Sequence, residues 1–190
     1  MPPGSPTPRA SSPRVSPPPV TSDGLRDGDP FVLATLVAAH GGDVLVYARE
    51  VAPPDEALRM AAAVFVDLRL AVLSGDDLAE DVDAALLSAT RRVAARQAEN
   101  PFRPGEHRRP TTRTTVCDRF PRLLTAWADH RLPRADAVRL REHVVDCPDC
   151  DALNVAFDRA ETAYRDGPPA ELAPEETGAL VAAMALASPG

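Results

Sequence analysis

Apolar side chains along this chain recur every three or four residues, the spacing that lines one face of an α-helix. The first such run is Phe31, Leu33, Leu36, Val37, Val44, Leu45, Tyr47 and Ala48, with Asp29 placed to cap its start and Pro30 suited to its first turn. Gly41-Gly42 should weaken the middle of that helix by about 1 kcal/mol per glycine relative to alanine. A second helix is expected after Pro53-Pro54, where Asp55 and Glu56 complement the N-terminal dipole. Its apolar face is Leu58, Ala61, Val64, Phe65, Leu68 and Val72, and Ser74-Gly75 ends it. A third runs from about Asp77 to Ala98, burying Leu78, Val82, Leu86, Leu87 and Val93 and carrying Arg91, Arg92 and Arg96 toward its end.

The period breaks between Asn100 and Thr115, where three prolines and Gly105 interrupt it and Arg103, Arg108, Arg109 and Arg113 face only Glu106. Residues 101–115 read as a basic linker. A hinge is favoured over a contact with nucleic acid, because Phe102 is the lone aromatic there for stacking on bases. Helical spacing resumes with Phe120, Leu123, Leu124 and Trp127, the last expected in the core, and continues after the turn Asp129–Pro133 with Ala137, Val138, Leu140 and Val144. Cys147-Pro148-Asp149-Cys150 forms a tight turn before a further amphipathic run of Leu153, Ala156, Phe157, Ala160 and Tyr164. The expected class is all-α, with a three-helix block over residues 30–100 and a small three-helix domain over 116–165. Residues 1–29, rich in proline and serine, should be unstructured. Residues 166–190 form an acidic tail with a short helix from Pro174 to Ala187, expected to pack on its own chain in preference to a partner's groove.

Composition changes the picture in two places. The chain of 190 residues has a net charge of −7 and basic residues that are all arginine, the wrong balance for gripping phosphates, so it argues against a nucleic-acid binder. The start, Met1-Pro-Pro-Gly-Ser-Pro, lacks a basic region followed by an apolar one, and Ala179–Ala187 is too short to span a bilayer. A cytoplasmic protein without a membrane anchor is expected. Nothing in the pattern indicates an oligomeric state.

The chemistry gathers around three cysteines, a number that cannot all pair within one chain. His143, Cys147 and Cys150 stand as His-x3-Cys-x2-Cys, and Cys117 lies upstream with 25 residues between it and His143. One imidazole and three thiolates make a complete tetrahedral set for zinc, the expected cofactor. Cys117 would come from the start of one helix, His143 from the last turn of the next, and the other two from the knuckle leading into the third. His130 is the substitute for Cys117 if the first of these helices is displaced. A redox role for Cys147 and Cys150 would call for a preceding strand, which the pattern lacks. Four filled positions leave no open one for catalysis, so no enzyme is expected. A domain of about 50 residues has a small core, and the metal would supply much of its stability.

The ligand pattern, with Leu123-Leu124 through Leu132-Pro133, resembles the zinc-binding anti-sigma factor domain, a zinc finger of His-Cys-Cys type. The resemblance covers about Thr115 to Arg165. It implies a domain that binds a sigma factor, or a similar transcription protein, and keeps it from RNA polymerase. Residues 31–100 resemble region 2 of extracytoplasmic-function sigma factors through Val44-Leu45-Val46-Tyr47-Ala48-Arg49, Ala63-Val64-Phe65-Val66-Asp67-Leu68 and Leu87-Ser88-Ala89-Thr90-Arg91. Arg59, Ala62 and Ala63 depart from the acidic and amide residues with which that family grips polymerase. The block's eleven acidic side chains against six arginines have the wrong sign for DNA. An unrelated alanine-rich bundle fits these residues equally well. The expectation is a regulator that restrains a sigma factor. The alternative is a reduced sigma-like factor that binds polymerase and DNA, with a zinc domain in place of its second DNA-reading domain.

Overall fold

The computed structural model describes residues 19–76, 78, 81–99 and 115–188. Among them the secondary structure is eight helices and no strand: α1 Ser22–Asp27, α2 Pro30–Val51, α3 Pro54–Leu73, α4 Val82–Glu99, α5 Thr115–Ala128, α6 Arg134–Asp146, α7 Pro148–Asp166 and α8 Pro174–Ala185. The all-α expectation holds. Residues 1–18 and 100–114, which include most of the expected tail and linker, lie outside the described set.

A helix that is apolar all round must be covered all round, and α2 is built that way. Leu33, Leu36, Val37, Val44, Leu45, Tyr47 and Ala48 are all essentially inaccessible, and α1, α3, α4, α7 and α8 pack around them. By length and mean hydropathy α2 is also apolar enough to cross a bilayer; here it is the central strut of the core. Asp29 caps it as expected, its Oδ1 accepting from the Phe31 N–H at 2.8 Å. Phe31 itself departs from the expected apolar face and is 75% exposed, because it sits in the first turn before the covering helices close over.

Two helix starts differ from the sequence reading. The expected unstructured segment through residue 29 contains α1, a single turn and a half bounded by Thr21, whose hydroxyl accepts from Gly24 N–H at 3.1 Å, and by Gly28 at φ 70°. Its one apolar residue, Leu25, is wholly buried, and one residue makes no period. The expected helix from Asp77 begins instead at Val82. Leu78 remains outside it, half-buried, with its N–H bonded to Ser22 Oγ at 3.0 Å.

The segments on either side of residues 101–115 share one hydrophobic cluster. α7 lies along α2, with the Tyr47 ring edge-on to Phe157 and Tyr164 at centroid distances of 6.5 Å. α8 packs on α2 and α3, the docking on its own chain favoured for the acidic tail. Gly41 and Gly42 make that docking possible. A Cβ on Gly41 would come within 2.5 Å of Leu172 Cδ1, and one on Gly42 within 2.5 Å of the Ala170 carbonyl oxygen, while Ala170 N–H donates to Gly42 O at 3.3 Å. What reads as a weak point in a helix is the seat for residues 169–172.

Two arginines are buried in this core. Arg69 of α3 donates through Nε to Leu25 O at 3.0 Å and through Nη1 to Met184 O, so one guanidinium serves carbonyls of both α1 and α8. Arg91 of α4 pairs with Glu161 of α7 through two N–H groups and with Asp129 Oδ1 at 2.7 Å. Asp129 Oδ2 also accepts from Ser88 Oγ at 2.9 Å and from Arg131 at 2.7 Å. Arg92 and Arg96 bind Asp67 at 2.7 and 2.6 Å. The arginines expected near the end of α4 therefore face partners within the chain.

Candidate metal centre

The four expected ligands arrive from three helices at one point. Cys117 lies in the first turn of α5, His143 in the last turn of α6, and Cys150 in the first turn of α7. Cys147 closes α6 and opens α7 at the same residue, with an extended backbone at φ −122° and ψ 101°. Pro148 follows in the first helical position, where its missing N–H has no partner to lose and its fixed φ starts the helix. The knuckle is thus a consequence of Cys-Pro: an extended residue before proline, then an immediate helix that swings Cys150 back toward Cys147.

The ligand atoms of Cys117, His143, Cys147 and Cys150 all lie within 4.8 Å of one another. His143 Nε2 is 3.4 Å from Cys117 Sγ and 3.3 Å from Cys150 Sγ, and Cys117 Sγ is 3.9 Å from Cys147 Sγ. For metal bonds of roughly 2.3 Å to sulfur and 2.0 Å to nitrogen, the edges of a tetrahedron are about 3.8 Å between sulfurs and about 3.5 Å between sulfur and nitrogen. These three separations match those edges and the remaining ones stay within 4.8 Å, so the residues present fit a four-coordinate ion. The imidazole is steadied by Phe120, a fully buried ring 6.1 Å away and tilted by 49°.

The electrostatics point the same way. Burial pushes the Cys150 thiol well above its ordinary range, and its hydrogen bonds and repulsion with Cys147 and Cys117 push it further. Three sulfurs this close cannot all be thiolates without a cation between them; a bound metal inverts that balance and deprotonates its thiols. Cys117 and Cys150 also sit at helix N-termini, where the backbone dipole favours negative charge.

The other candidates lie elsewhere. His130 has a left-handed backbone at φ 55° just past α5, and its N–H bonds Trp127 O at 3.0 Å while Arg131 N–H bonds Ala126 O at 2.8 Å. That is a helix-ending motif, thirteen residues and roughly 20 Å along α5 from Cys117. Trp127, expected in the core, is 39% exposed, because its turn of α5 is only partly covered. The sequence reading missed Asp129 and Glu161, which tie these metal-bearing helices to Arg91. The available signal was Arg91 itself, four residues after Leu87 and four before Ala95 on a buried line of α4.

A family described as "Putative zinc-finger" matches residues 117–150, the span from the first ligand to the last. That segment is similar to a zinc finger, and its first and last matched residues are two of the four clustered ligands. No curated protein and no solved structure matches the chain. The family match stops at the finger, and the likeness of residues 31–100 to sigma region 2 receives no support from these comparisons.

Proposed function

We propose that this protein is a zinc-binding regulator of anti-sigma type, which binds a sigma factor and keeps it from RNA polymerase. The observation that carries the reading is the tetrahedral grouping of Cys117, His143, Cys147 and Cys150 at the joint of three helices, within a zinc-finger match. Zinc suits one nitrogen and three sulfurs, and four protein ligands close its shell, so the metal's role is to build a surface and not to catalyse. The thiols call for a reducing compartment such as the cytoplasm.

The surface best placed for a partner is α6, which among the described residues packs only on α5 and α7 and buries only Leu140 fully. Val138 and Val145, seven residues apart and so on one helical face, are 38% and 85% exposed, and Val155 of α7 is 48% exposed. Restraint would be steric: the ion fixes the helices that present these valines. The test is co-purification from the native host. Recovery of a sigma factor without core polymerase, lost in Cys147→Ser, is the expected result; recovery of core polymerase with no free sigma overturns it. That second outcome belongs to the reduced sigma-like factor, which no structural observation favours, since Arg91, Arg92 and Arg96 are paired within the chain.

A further inference from the structure

The outward face of α6 alternates charge and aliphatic surface at a helical period. At 100° per residue, Arg134, Val138, Arg141 and Val145 fall within one stripe roughly 60° wide, at spacings of four, three and four. All four side chains are exposed. The stripe runs for about 16 Å along the helix and is turned well away from Leu140, the residue with which α6 enters the core.

Charged residues on an exposed helix are ordinary; arginines left without carboxylates are not ordinary in this chain. Among the described residues, eight arginines have a carboxylate oxygen within 3.3 Å. Arg134 and Arg141 have none, although Arg139 between them reaches toward Asp136 at 3.8 Å. Arg49 and Arg119 are unpaired too, each the single such arginine on its helix. Two guanidiniums seven residues apart, each followed by an exposed valine, match a surface with the same repeat. Carboxylates would meet the arginines and aliphatic groups the valines, which is the face of another helix. Phosphates fit less well. Glu142 and Asp146 stand about 40° and 80° beyond the edge of the stripe, and Asp149 and Asp151 open α7 just after it. A nucleic acid or an anionic membrane, charged throughout, would meet those carboxylates and gain nothing from the valines. A helix can set its acids opposite the arginines alone.

We infer that this stripe receives an acidic amphipathic helix of the partner protein, its carboxylates against Arg134 and Arg141 and its aliphatic side chains against Val138 and Val145. The inference rests on the reading of α6 as the partner surface and adds the chemistry which that surface selects. His143 lies between Arg141 and Val145 in sequence and on the opposite side of the helix. A metal ion held there fixes the end of the stripe without covering it.

The test uses the full zinc-loaded chain and two labelled synthetic helices of about 18 residues, long enough to hold helical structure. One alternates leucine and glutamate at spacings of four and three; the other has lysine for every glutamate. Fluorescence anisotropy at low salt should show saturable binding of the first. The second should bind at least about tenfold more weakly, the scale of several exposed charge pairs acting together. Reversing both charges (Arg134→Glu with Arg141→Glu) should invert that preference. Arg49→Glu with Arg59→Glu, an equal change of net charge on α2 and α3, should preserve it. Should the reversed variant not fold, Arg134→Gln with Arg141→Gln decides by losing the preference. The inference is overturned if neither helix binds saturably, if both bind equally, or if the reversed variant keeps the original preference. It is also overturned if a DNA duplex or a phosphatidylserine vesicle binds the parent more tightly than the glutamate helix does, and is lost on the reversed variant. Co-purification from the native host with the reversed variant separates this inference from the anti-sigma reading. A sigma factor captured equally by parent and variant overturns the inference and leaves that reading in place. Absence of a captured sigma factor, with the helix preference intact, removes that reading and leaves the inference standing.

Discussion

Arg91 of α4 and Glu161 of α7 meet as a two-pronged ion pair across 70 residues of sequence, with the arginine side chain 8% exposed. The pair joins the helix block before residue 100 to the helix that begins at the metal knuckle. Breaking a buried pair from one side leaves the other charge without compensation. Arg91→Ala leaves Glu161 with Arg165 and the largely buried Asp129 with Arg131 and Ser88, and should lower unfolding free energy by up to about 3 kcal/mol in urea titrations. Glu161→Gln should cost less, since Glu161 is 27% exposed and Asp129 still holds the guanidinium.

Asp129 gives the chain an acid-sensitive element. Burial alone would raise its pKa, but hydrogen bonds from Arg91, Ser88 and Arg131 outweigh that and hold it below the usual carboxylate value. A depressed carboxylate contributes stability that is complete above its unfolded pKa of about 3.9 and is lost as pH falls through the folded value. Asp129→Asn should therefore be less stable than the parent at neutral pH and lose less on acidification below about pH 4, as read by urea midpoints measured across that range.

Metal removal should act first on α6. Among the described residues that helix is held only by α5 and α7 and has a single fully buried residue, Leu140. One equivalent of zinc should be released on chelation or in Cys150→Ser. Amides of α6 should then exchange rapidly while those of α2 and α3 remain protected. Uniform loss of protection throughout would contradict this.

Two helical glycines should respond in opposite directions to alanine. A methyl group on Gly178 of α8 would meet only open space, so Gly178→Ala should stabilise the protein by roughly 0.5–1 kcal/mol through helix propensity. Gly42→Ala gains the same propensity but meets the Ala170 carbonyl at 2.5 Å and should lower the melting temperature. Thermal unfolding of the two variants side by side checks both.

Docking of a partner on α6 predicts that Val145→Asp leaves folding intact, since the residue is 85% exposed, yet weakens capture of the partner. Removing an apolar hot-spot side chain from an interface costs on the order of 2 kcal/mol of binding. Pull-down titration beside the unchanged protein measures it.

Much of this was legible in the sequence because helices and metal sites write locally. The three- and four-residue spacing marks α2, α3 and α7, and His-x3-Cys-x2-Cys marks the knuckle whose ligand atoms lie within 4.8 Å of one another and of Cys117. Periodicity says which face of a helix is covered but not what covers it. It could not place Arg69 or Arg91 in the core, because each is buried by partners 38 to 115 residues away. Nor could it show that Gly41-Gly42 is a landing site, since the segment that lands there is in the tail. α1 was missed for a simpler reason, its single apolar residue. Phe31 and Trp127 look like core by type and are left outside by the position of their neighbours.

Arg69 holds Leu25 near the beginning of the described chain and Met184 near its end with the same side chain. α1 and α8 are therefore tied together through one guanidinium, and losing either helix loosens the other. A deletion that removes Leu25 is a perturbation of α8, however distant the two look on paper.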